Sequence, residues 1–205
     1  MKVLVACEFS GIVRDAFTRQ GHDATSCDLL PSETKGKHYQ GDVRDMLNSE
    51  WALMIAHPPC TYLCSSGLHW NKRRPGRAAQ TEAALEFVRI LLDAPIPHIA
   101  LENPVGCIST RIRKPEQIIQ PWQFGHAESK STCLWLKGLP PLCSTNILPL
   151  PERGRWDNQT DSGQNKLTPS PNRWAERSKT YSGIAEAMAE QWGAMKGQSS
   201  TRGGE

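Results

Sequence analysis

The chain has 205 residues, of which 38% are hydrophobic and 22% are charged, so one globular domain with a real hydrophobic core is expected. No apolar run approaches the length that spans a bilayer, and the short apolar N-terminus predicts a first strand rather than a signal peptide. The seven cysteines are odd in number and scattered, which disfavours a disulfide framework and favours a cytoplasmic location. A net charge of +3 neither requires nor excludes nucleic acid as a partner.

Strands alternate with helices along most of the sequence. Helical spacing predicts a helix that starts at Ile12 and is closed by Gly21, and two others at Thr81–Leu92 and Tyr181–Met195. Apolar runs predict strands at 2–7, 22–27, 51–56, 99–101 and 133–136. This alternation predicts an α/β protein with a mainly parallel sheet that helices cover on both faces.

Polar residues follow the predicted strands where each strand ends, at Glu8–Gly11, Asp28, His57–Cys60 and Glu102–Asn103. Ligand sites of such sheets lie at the carboxyl ends of the strands, so these residues predict an active site.

Pro58 and Pro59 hold Cys60 on a stiff turn, where nearby dipoles and cations favour a low pKa and nucleophilic character of its thiol. A buried Glu102 beside an amide favours a raised pKa and proton donation. Taken one at a time, these residues are better explained as a buried loop cysteine, an exposed glutamate and a capping asparagine.

The spacing of histidine and cysteine residues bears on metal binding, and the local clustering of basic residues bears on nucleic-acid binding. His57, Cys60, Cys64 and His69 fit poorly with zinc-ligand spacing, and the His-x-Glu of zinc deaminases is missing, so no metal is expected. Two basic runs, 69–77 and 111–114, are typical of solvated loops and of nucleic-acid surfaces alike.

Pro59-Cys60 with a glycine seven residues after the cysteine, followed by Glu102-Asn103 at the next strand end, resembles the DNA cytosine-5 methyltransferase family. The family pattern is Gly-Phe-Pro-Cys-Gln-x-Phe-Ser-x-x-Gly and then Glu-Asn-Val. Four further elements resemble family motifs. Phe9-Ser10-Gly11 is similar to the cofactor loop, and Asp28 to the carboxylate that holds the ribose. Gly41-Asp42-Val43 is similar to the element that contacts adenine, and Tyr181-Ser182-Gly183 to the start of the last helix. The chain is similar to compact, phage-type members, which implies a Rossmann-like S-adenosylmethionine-dependent methyltransferase fold.

The resemblance implies a role for each matching residue. Cys60 would add to carbon 6 of a flipped cytosine, and Glu102 would bind the exocyclic amine and protonate N3, while Pro59 aligns the thiol and Asn103 orders the turn. S-adenosylmethionine would be held by Phe9, Ser10, Gly11, Asp28, Leu29, Asp42, Val43, Pro58 and Ser182. The cytosine and double-stranded DNA would be bound by Ser66, Gly67, Lys72, Arg73, Arg74, Arg77, Lys130 and Thr132.

The sequence departs from the family pattern at several places. Val13 and Arg14 stand in a loop that is usually richer in glycine, and Thr61 replaces the usual glutamine. The family's Gln-x-Arg-x-Arg element is missing, and Glu128–Trp135 stands in its place. A large recognition domain is missing too, so we predict a catalytic domain at 1–139, an irregular reduced recognition segment at 140–178, a C-terminal helix at 179–196 that packs back, and a flexible tail at 197–205.

Other functions remain open at this point. Because no large recognition domain is present, one alternative is an enzyme that acts on a free cytosine nucleotide or that transfers a group other than methyl. A catalytically inactive DNA-binding relative is a second alternative. A third is an amino-group methyltransferase, which carries Asn/Asp-Pro-Pro-Tyr/Phe where this chain has His57-Pro58-Pro59-Cys60. No membrane partner is expected, and a monomer is favoured.

Overall fold

The computed structural model describes residues 1–160, 166 and 173–195. Its strands are β1 Lys2–Ala6, β2 Asp23–Asp28, β3 His38–Gln40, β4 Leu53–Ala56, β5 His98–Pro104, β6 Gln117–Ile119 and β7 Thr132–Lys137. Its helices are α1 Ile12–Arg19, α2 Ser65–Leu68, α3 Arg77–Leu92, α4 Ile108–Arg111, α5 Arg173–Ser178 and α6 Ser182–Gly193. None of the helices in these residues is both long enough and apolar enough to cross a membrane.

The strands form one sheet in the order β3-β2-β1-β4-β5-β7-β6. Strands β1 to β5 pair in parallel, and β7 runs antiparallel to both β5 and β6. The strand order reverses between β1 and β4, and such a point is where doubly wound sheets bind ligands. The predicted α/β, Rossmann-like fold with a mainly parallel sheet is confirmed.

Side chains of the central strands alternate between two hydrophobic cores, one on each face of the sheet. Val3 and Val5 of β1 face the core that α1 and α6 cover, whereas Leu4 faces the core that α3 covers. The largest fully buried side chains, Trp135 and Trp192, lie one in each core. Helix α6 packs along α1 on one face of the sheet.

The structure differs from the predicted elements where local signals are weak. Strands β3 and β6 have three residues each and were not predicted, because neither carries an alternating apolar pattern. Helix α3 begins at Arg77, four residues earlier than expected, since Gly76 adopts the left-handed conformation (φ 74°) that starts it. The segment 140–178 is not irregular throughout, because it contains α5, and its Trp156 is buried. The tail 197–205 lies outside the described residues.

Candidate active site

A small cleft opens at the switch point between β1 and β4. It is lined by Cys7, Glu8, Phe9 and Ser10 after β1, by His57 after β4, and by Ser178 and Thr180 before α6. Cys7 has φ 60°, a left-handed conformation that non-glycine residues rarely adopt and that is common at functional sites. The cleft therefore joins the loop after β1 to the segment that precedes α6.

Glu8 occupies the N-terminus of α1 from inside the protein. Its carboxyl accepts hydrogen bonds from the backbone N–H groups of Val13 at 2.7 Å and Arg14 at 3.2 Å, and from the Ser10 hydroxyl at 3.3 Å. Burial raises the pKa of Glu8, and the charge of His57 together with the two backbone donors opposes this only in part. Because Glu8 uses the helix N–H groups, they do not offer the phosphate site that dinucleotide-binding folds place there.

Arg14, which departs from the family's glycine-rich loop, is 1% exposed and anchors the segment after β2. Its guanidinium donates to the hydroxyls of Ser26 at 3.1 Å, Ser32 at 3.0 Å and Thr34 at 2.5 Å. This anchored segment begins with Leu29, which is 73% exposed directly after β2. The buried arginine thus holds the segment after β2 in place.

The two carboxylates predicted to hold adenosine follow β2 and β3. Asp28 accepts a hydrogen bond from the Leu30 backbone N–H at 3.0 Å. Asp42 accepts from the side chain and backbone of Arg44, and these bonds lower its pKa to about 2. Burial raises the pKa of the Cys7 thiol, and the charges of Asp28 and Asp42 raise it further. Both carboxylates therefore lie near the β1 end of the cleft, and Val43 beside them is buried in the core.

The turn that carries Cys60 is held from β5 and from α3. Pro59, at φ −54°, precedes the short 3-10 helix Cys60–Tyr62. The buried Asn103 side chain donates to the Pro58 carbonyl oxygen at 2.7 Å, which ties the end of β5 to this turn. Three further contacts hold the other side: Thr81 donates to the Tyr62 carbonyl at 3.1 Å, and Arg77 donates to the Thr61 carbonyl at 2.6 Å and lies 4.2 Å from the Tyr62 ring centroid.

Cys60 and Cys64 form a coupled pair one helical turn apart, since the Cys64 N–H donates to the Cys60 carbonyl oxygen at 3.0 Å. A hydrogen bond from the Cys60 thiol lowers the pKa of Cys64 to about 5, with help from the Ser66 hydroxyl at 3.2 Å and the Gly67 backbone. The same bond raises the pKa of Cys60, as do burial and the charges of Cys64 and Glu102. The prediction of a low pKa at Cys60 is therefore wrong: the pKa of Cys60 is raised, and the thiol whose pKa is lowered is Cys64.

This assignment predicts an order of thiol modification. At about pH 6, iodoacetamide should modify Cys64 well before Cys60 and also before Cys143, although Cys143 is the more exposed, because the thiolate is the reactive form. Peptide mass spectrometry at short reaction times measures the order. The Ser66→Ala variant removes one donor and should slow Cys64 modification, whereas first modification at Cys60 would contradict the assignment.

Glu102 lies at the end of β5 against His57. His57 Nδ1 is 2.9 Å from Glu102 Oε2, and the two side chains are 8% and 13% exposed. Burial acts to raise the pKa of Glu102, but the hydrogen bond from His57 and the charge of Lys130 outweigh it, so the pKa is lowered. The expected raised pKa is thus wrong because the sequence did not reveal these two partners. Glu102 is an ionised acceptor in the resting protein.

Cys60 and Glu102 share one region at the carboxyl ends of β4 and β5. The charge of Glu102 contributes to the raised pKa of Cys60, and the charge of Arg177 in α5 opposes it. Lys130 Nζ donates to the Arg177 backbone carbonyl at 3.0 Å, which connects α5 to the segment that replaces the family's Gln-x-Arg-x-Arg element. Thr132 lies buried in β7, where its hydroxyl donates to the Lys130 carbonyl at 3.1 Å.

The basic loop after the Cys60 turn contains exposed residues and one residue that anchors it. Lys72, Arg73 and Arg74 are exposed and line an open surface cavity, and Arg74 stacks over the Trp70 ring at 4.0 Å. Arg77, by contrast, is held against the Cys60 turn. In the second basic run, Arg111 pairs with Glu82 and Arg113 with Glu116, so much of its charge is neutralised locally.

Several predicted residues occupy supporting rather than lining positions. Ser66 and Gly67 lie in α2, and a Cβ on Gly67 would meet the Thr61 carbonyl at 3.2 Å, so the glycine permits close packing under the turn. Gly11 starts α1 at φ 75°, and Thr34 and Arg14 fill the space beside it. Ser182 is the exposed first residue of α6, and the cleft is lined instead by Ser178 and Thr180.

Sequence reasoning missed five residues: His57, Cys64, Arg177, Ser178 and Thr180. His57 and Cys64 were weighed only as metal ligands, although their positions beside Pro-Pro-Cys carried a usable signal. Arg177, Ser178 and Thr180 come from a polar segment without any motif. Within residues 1–160, 166 and 173–195, no group of three or more His, Cys, Asp or Glu side chains is arranged to hold a metal ion.

Comparison with known proteins adds little to this geometry. No protein-family model and no curated protein matches the sequence. A prophage-encoded E. coli structure, described as a candidate DNA modification methyltransferase, is 12% identical with a TM-score of 0.42, over 66% of this chain and 46% of that one. A candidate NAD-dependent epimerase/dehydratase from Methylobacillus flagellatus is 18% identical with a TM-score of 0.28, over 59% and 40%. The chain spans less than half of either structure, and both likenesses are too weak to assign an activity.

Proposed function

We propose that the chain is an S-adenosylmethionine-dependent DNA methyltransferase that modifies carbon 5 of cytosine through Cys60. One observation carries this proposal: a thiol pair and an ionised carboxylate, from neighbouring parallel strands, converge beside a cleft at the switch point of the sheet. A thiol nucleophile next to a carboxylate suits addition to a pyrimidine ring, whose carbon 5 is otherwise a poor nucleophile. The motif resemblance points to the same chemistry.

The contacts of Glu8 favour S-adenosylmethionine over a dinucleotide as the cofactor. Glu8 already binds the N–H groups at the start of α1, and a pyrophosphate would have to displace this buried carboxyl. S-adenosylmethionine carries no phosphate and has a cationic sulfonium, which suits a cleft whose nearby charged groups include Glu8, Asp28 and Asp42. Asp28 would hold the ribose hydroxyls, and Leu29 would cover the adenine with its exposed side chain. When bound, the cofactor supplies an electrophilic methyl group.

The thiol pair would generate the nucleophile at the moment of attack. Cys60 adds to carbon 6 of cytosine while its proton passes along the existing hydrogen bond to the Cys64 thiolate. The net charge of the pair is unchanged until the carbon–sulfur bond forms, so no isolated thiolate has to be created in a half-buried site. Once carbon 5 carries the methyl group, its proton passes to solvent and Cys60 leaves, taking its proton back from Cys64, so that the aromatic ring and the thiol pair are both restored.

Glu102 would recognise the cytosine and stabilise the negative charge that thiolate addition produces. As an ionised carboxylate it accepts a hydrogen bond from the exocyclic amine. To share a proton with N3 as well, the carboxylate must itself receive that proton from a neighbouring donor. His57 is such a donor at 2.9 Å, and Lys130 places a positive charge on the same carboxylate. Asn103 and Pro59 act indirectly, because they fix the turn that carries Cys60.

Duplex DNA is the substrate that the surface next to Cys60 favours. A base within a duplex is out of reach and must be flipped into the site. Lys72, Arg73 and Arg74 follow the nucleophile turn, are exposed, and suit contacts with phosphates. Arg77 anchors the loop to Thr61 and Tyr62, so a phosphate contact by the loop would act on the turn that carries Cys60.

The proposed function predicts methyl transfer from labelled S-adenosylmethionine to duplex DNA at carbon 5 of cytosine. Bisulfite sequencing of DNA from cells that express the chain maps the modified positions, and an in vitro assay compares duplex DNA with deoxycytidine monophosphate. DNA from cells expressing the Cys60→Ser variant is the control. Transfer only to the nucleotide would contradict the DNA substrate, and a methyl group on an exocyclic amine would contradict the covalent mechanism.

A further inference from the structure

We propose that Cys60 and Cys64 are a peroxide-reactive site: hydrogen peroxide joins the two sulfur atoms in a disulfide, and a dithiol reductant separates them again. Both thiols are free and half-buried. The disulfide follows from the geometry of the turn, whereas its effect on methyl transfer rests on the proposed function, in which Cys60 must be free to attack. Oxidation of the pair therefore blocks the nucleophile reversibly.

The chain brings the two cysteines together within one turn. The Cys64 backbone N–H donates to the Cys60 carbonyl oxygen at 3.0 Å, and the Leu63 N–H donates to the same oxygen at 3.0 Å. The two thiols are also hydrogen-bonded to each other. Because the sulfur atoms already lie in contact, a disulfide needs adjustment within one turn rather than movement of separate elements.

The loop after β5 holds the backbone beside Cys64. The Ser65 N–H donates to the Val105 carbonyl oxygen at 3.0 Å. A Cβ on Gly106 would lie 2.0 Å from the Leu63 carbonyl oxygen, so only glycine permits this close approach. The asparagine contact to the Pro-Pro pair holds the other end of the turn. Each thiol is thus kept next to the other, which favours reaction between them.

Cys64 is the sulfur that reacts with the oxidant. The hydrogen bond from Cys60 lowers its pKa to about 5, and the Ser66 hydroxyl at 3.2 Å contributes. Cys64 is therefore ionised at neutral pH, and the thiolate is the form that peroxide oxidises. The neighbouring Ser65 and Ser66 are exposed, so a small oxidant reaches this side of the turn from solvent.

The oxidation proceeds in two steps. The Cys64 thiolate attacks one oxygen of hydrogen peroxide, the O–O bond breaks, and hydroxide leaves, so that Cys64 carries a sulfenic acid. The Cys60 sulfur then attacks the Cys64 sulfur, the S–O bond breaks, and the hydroxyl group leaves as water with the Cys60 proton. Two electrons pass from the two sulfur atoms to the peroxide, and a dithiol such as dithiothreitol returns them.

Cys107 is the thiol that competes with Cys60 as the partner of Cys64. Its backbone N–H donates to the Leu63 carbonyl oxygen at 2.8 Å, so it lies near the same turn. The Cys107 side chain is buried, however, and burial raises the pKa of its thiol. Cys60 is half-buried and hydrogen-bonded to Cys64, which favours the disulfide between these two.

Peptide mapping of the wild-type protein tests the disulfide directly. Trypsin cleaves after Arg44 and Lys72 and releases 45–72, a peptide that holds Cys60, Cys64 and no other cysteine. After brief exposure to hydrogen peroxide and blocking with N-ethylmaleimide, this peptide should carry no maleimide and should be lighter than the reduced peptide by two hydrogen atoms. Dithiothreitol before blocking should restore both maleimides. A peptide that stays fully labelled, carries a sulfinic or sulfonic acid, or is joined to the peptide of Cys107 overturns the proposal.

Two variants accompany the mapping, and thermal melting checks the fold of each. Cys143→Ser removes an exposed thiol elsewhere and should form the disulfide as wild type does. Cys64→Ser cannot form it, so Cys60 should keep its maleimide after the same exposure. If that variant is unfolded, the mapping of the wild-type protein still decides the proposal.

Methyl transfer to duplex DNA measures the consequence of oxidation. Activity of the wild-type protein should fall at least about tenfold as the disulfide forms and return to within about twofold after dithiothreitol. Full transfer by protein that is completely in the disulfide form would contradict the proposed function, because Cys60 would then not be the nucleophile. Absence of the disulfide would instead overturn the present inference and leave the proposed function standing.

Discussion

Replacing Cys60 by serine should abolish methyl transfer, with kcat at least about 10,000-fold lower, while S-adenosylhomocysteine binding stays within about threefold of wild type. A serine hydroxyl cannot supply a comparable nucleophile, because its proton would have to pass to a Cys64 thiolate that is a far weaker base than an alkoxide. Cys60 does not line the cofactor cleft, so binding should survive. Single-turnover transfer to duplex DNA and isothermal titration measure the two effects.

The matched control for this substitution is Cys143→Ser, since Cys143 is exposed and lies outside the cleft. Cys64→Ser separates the roles of the two thiols, because it leaves the nucleophile but removes the thiolate that accepts its proton. That variant should retain activity that rises with pH. Duplex DNA with 5-fluorocytosine should trap a covalent adduct at Cys60, because fluorine blocks the release step. Full activity of Cys60→Ser, or an adduct at Cys64, would contradict the mechanism.

The sequence predicts the central part of the fold because the signals there are strong. The apolar runs that become β1 and β4 and the helical spacing of α3 reflect burial on both faces of a parallel sheet. Polar residues at the strand ends then locate the site, because parallel strands bring their carboxyl ends to one edge. The short strands β3 and β6 escape prediction, because pairing with β2 and β7, rather than local pattern, defines them.

The electrostatics of the site are less predictable than its location. Cys60 alone on a proline-rich turn favours a low pKa, but Cys64 comes one turn later and takes the negative charge. Burial of Glu102 favours a raised pKa, but His57, forty-five positions earlier in the sequence, and Lys130 reverse the direction. These outcomes depend on distances between side chains from different elements, and sequence spacing does not encode them.

The same reasoning explains why Glu8 and Arg14 could replace a glycine-rich loop. A glycine-rich turn lets a phosphate approach the N-terminus of a helix, whereas here the Glu8 carboxyl fills that position from within. Arg14 then becomes buried, because its guanidinium can satisfy the polar groups of the segment after β2. The Glu8 carboxyl therefore occupies the position at which a phosphate would bind, and Arg14 fixes the segment after β2.

Replacing Glu102 by glutamine should lower kcat about 100- to 10,000-fold, the usual contribution of a positioned proton-transfer group. The amide keeps the size of the side chain but can neither share a proton with N3 nor accept strongly from His57 Nδ1.

The lowered pKa of Glu102 also has a consequence for stability. Its carboxylate stabilises the fold at pH values above the usual glutamate pKa, and this contribution is lost as pH falls through the lowered pKa of the folded protein. The melting-temperature difference between wild type and Glu102→Gln should therefore shrink in acid, with the exposed Glu190→Gln in α6 as the control. Unchanged turnover in Glu102→Gln would remove the carboxylate from the reaction and leave the thiol pair without the partner that makes cytosine reactive.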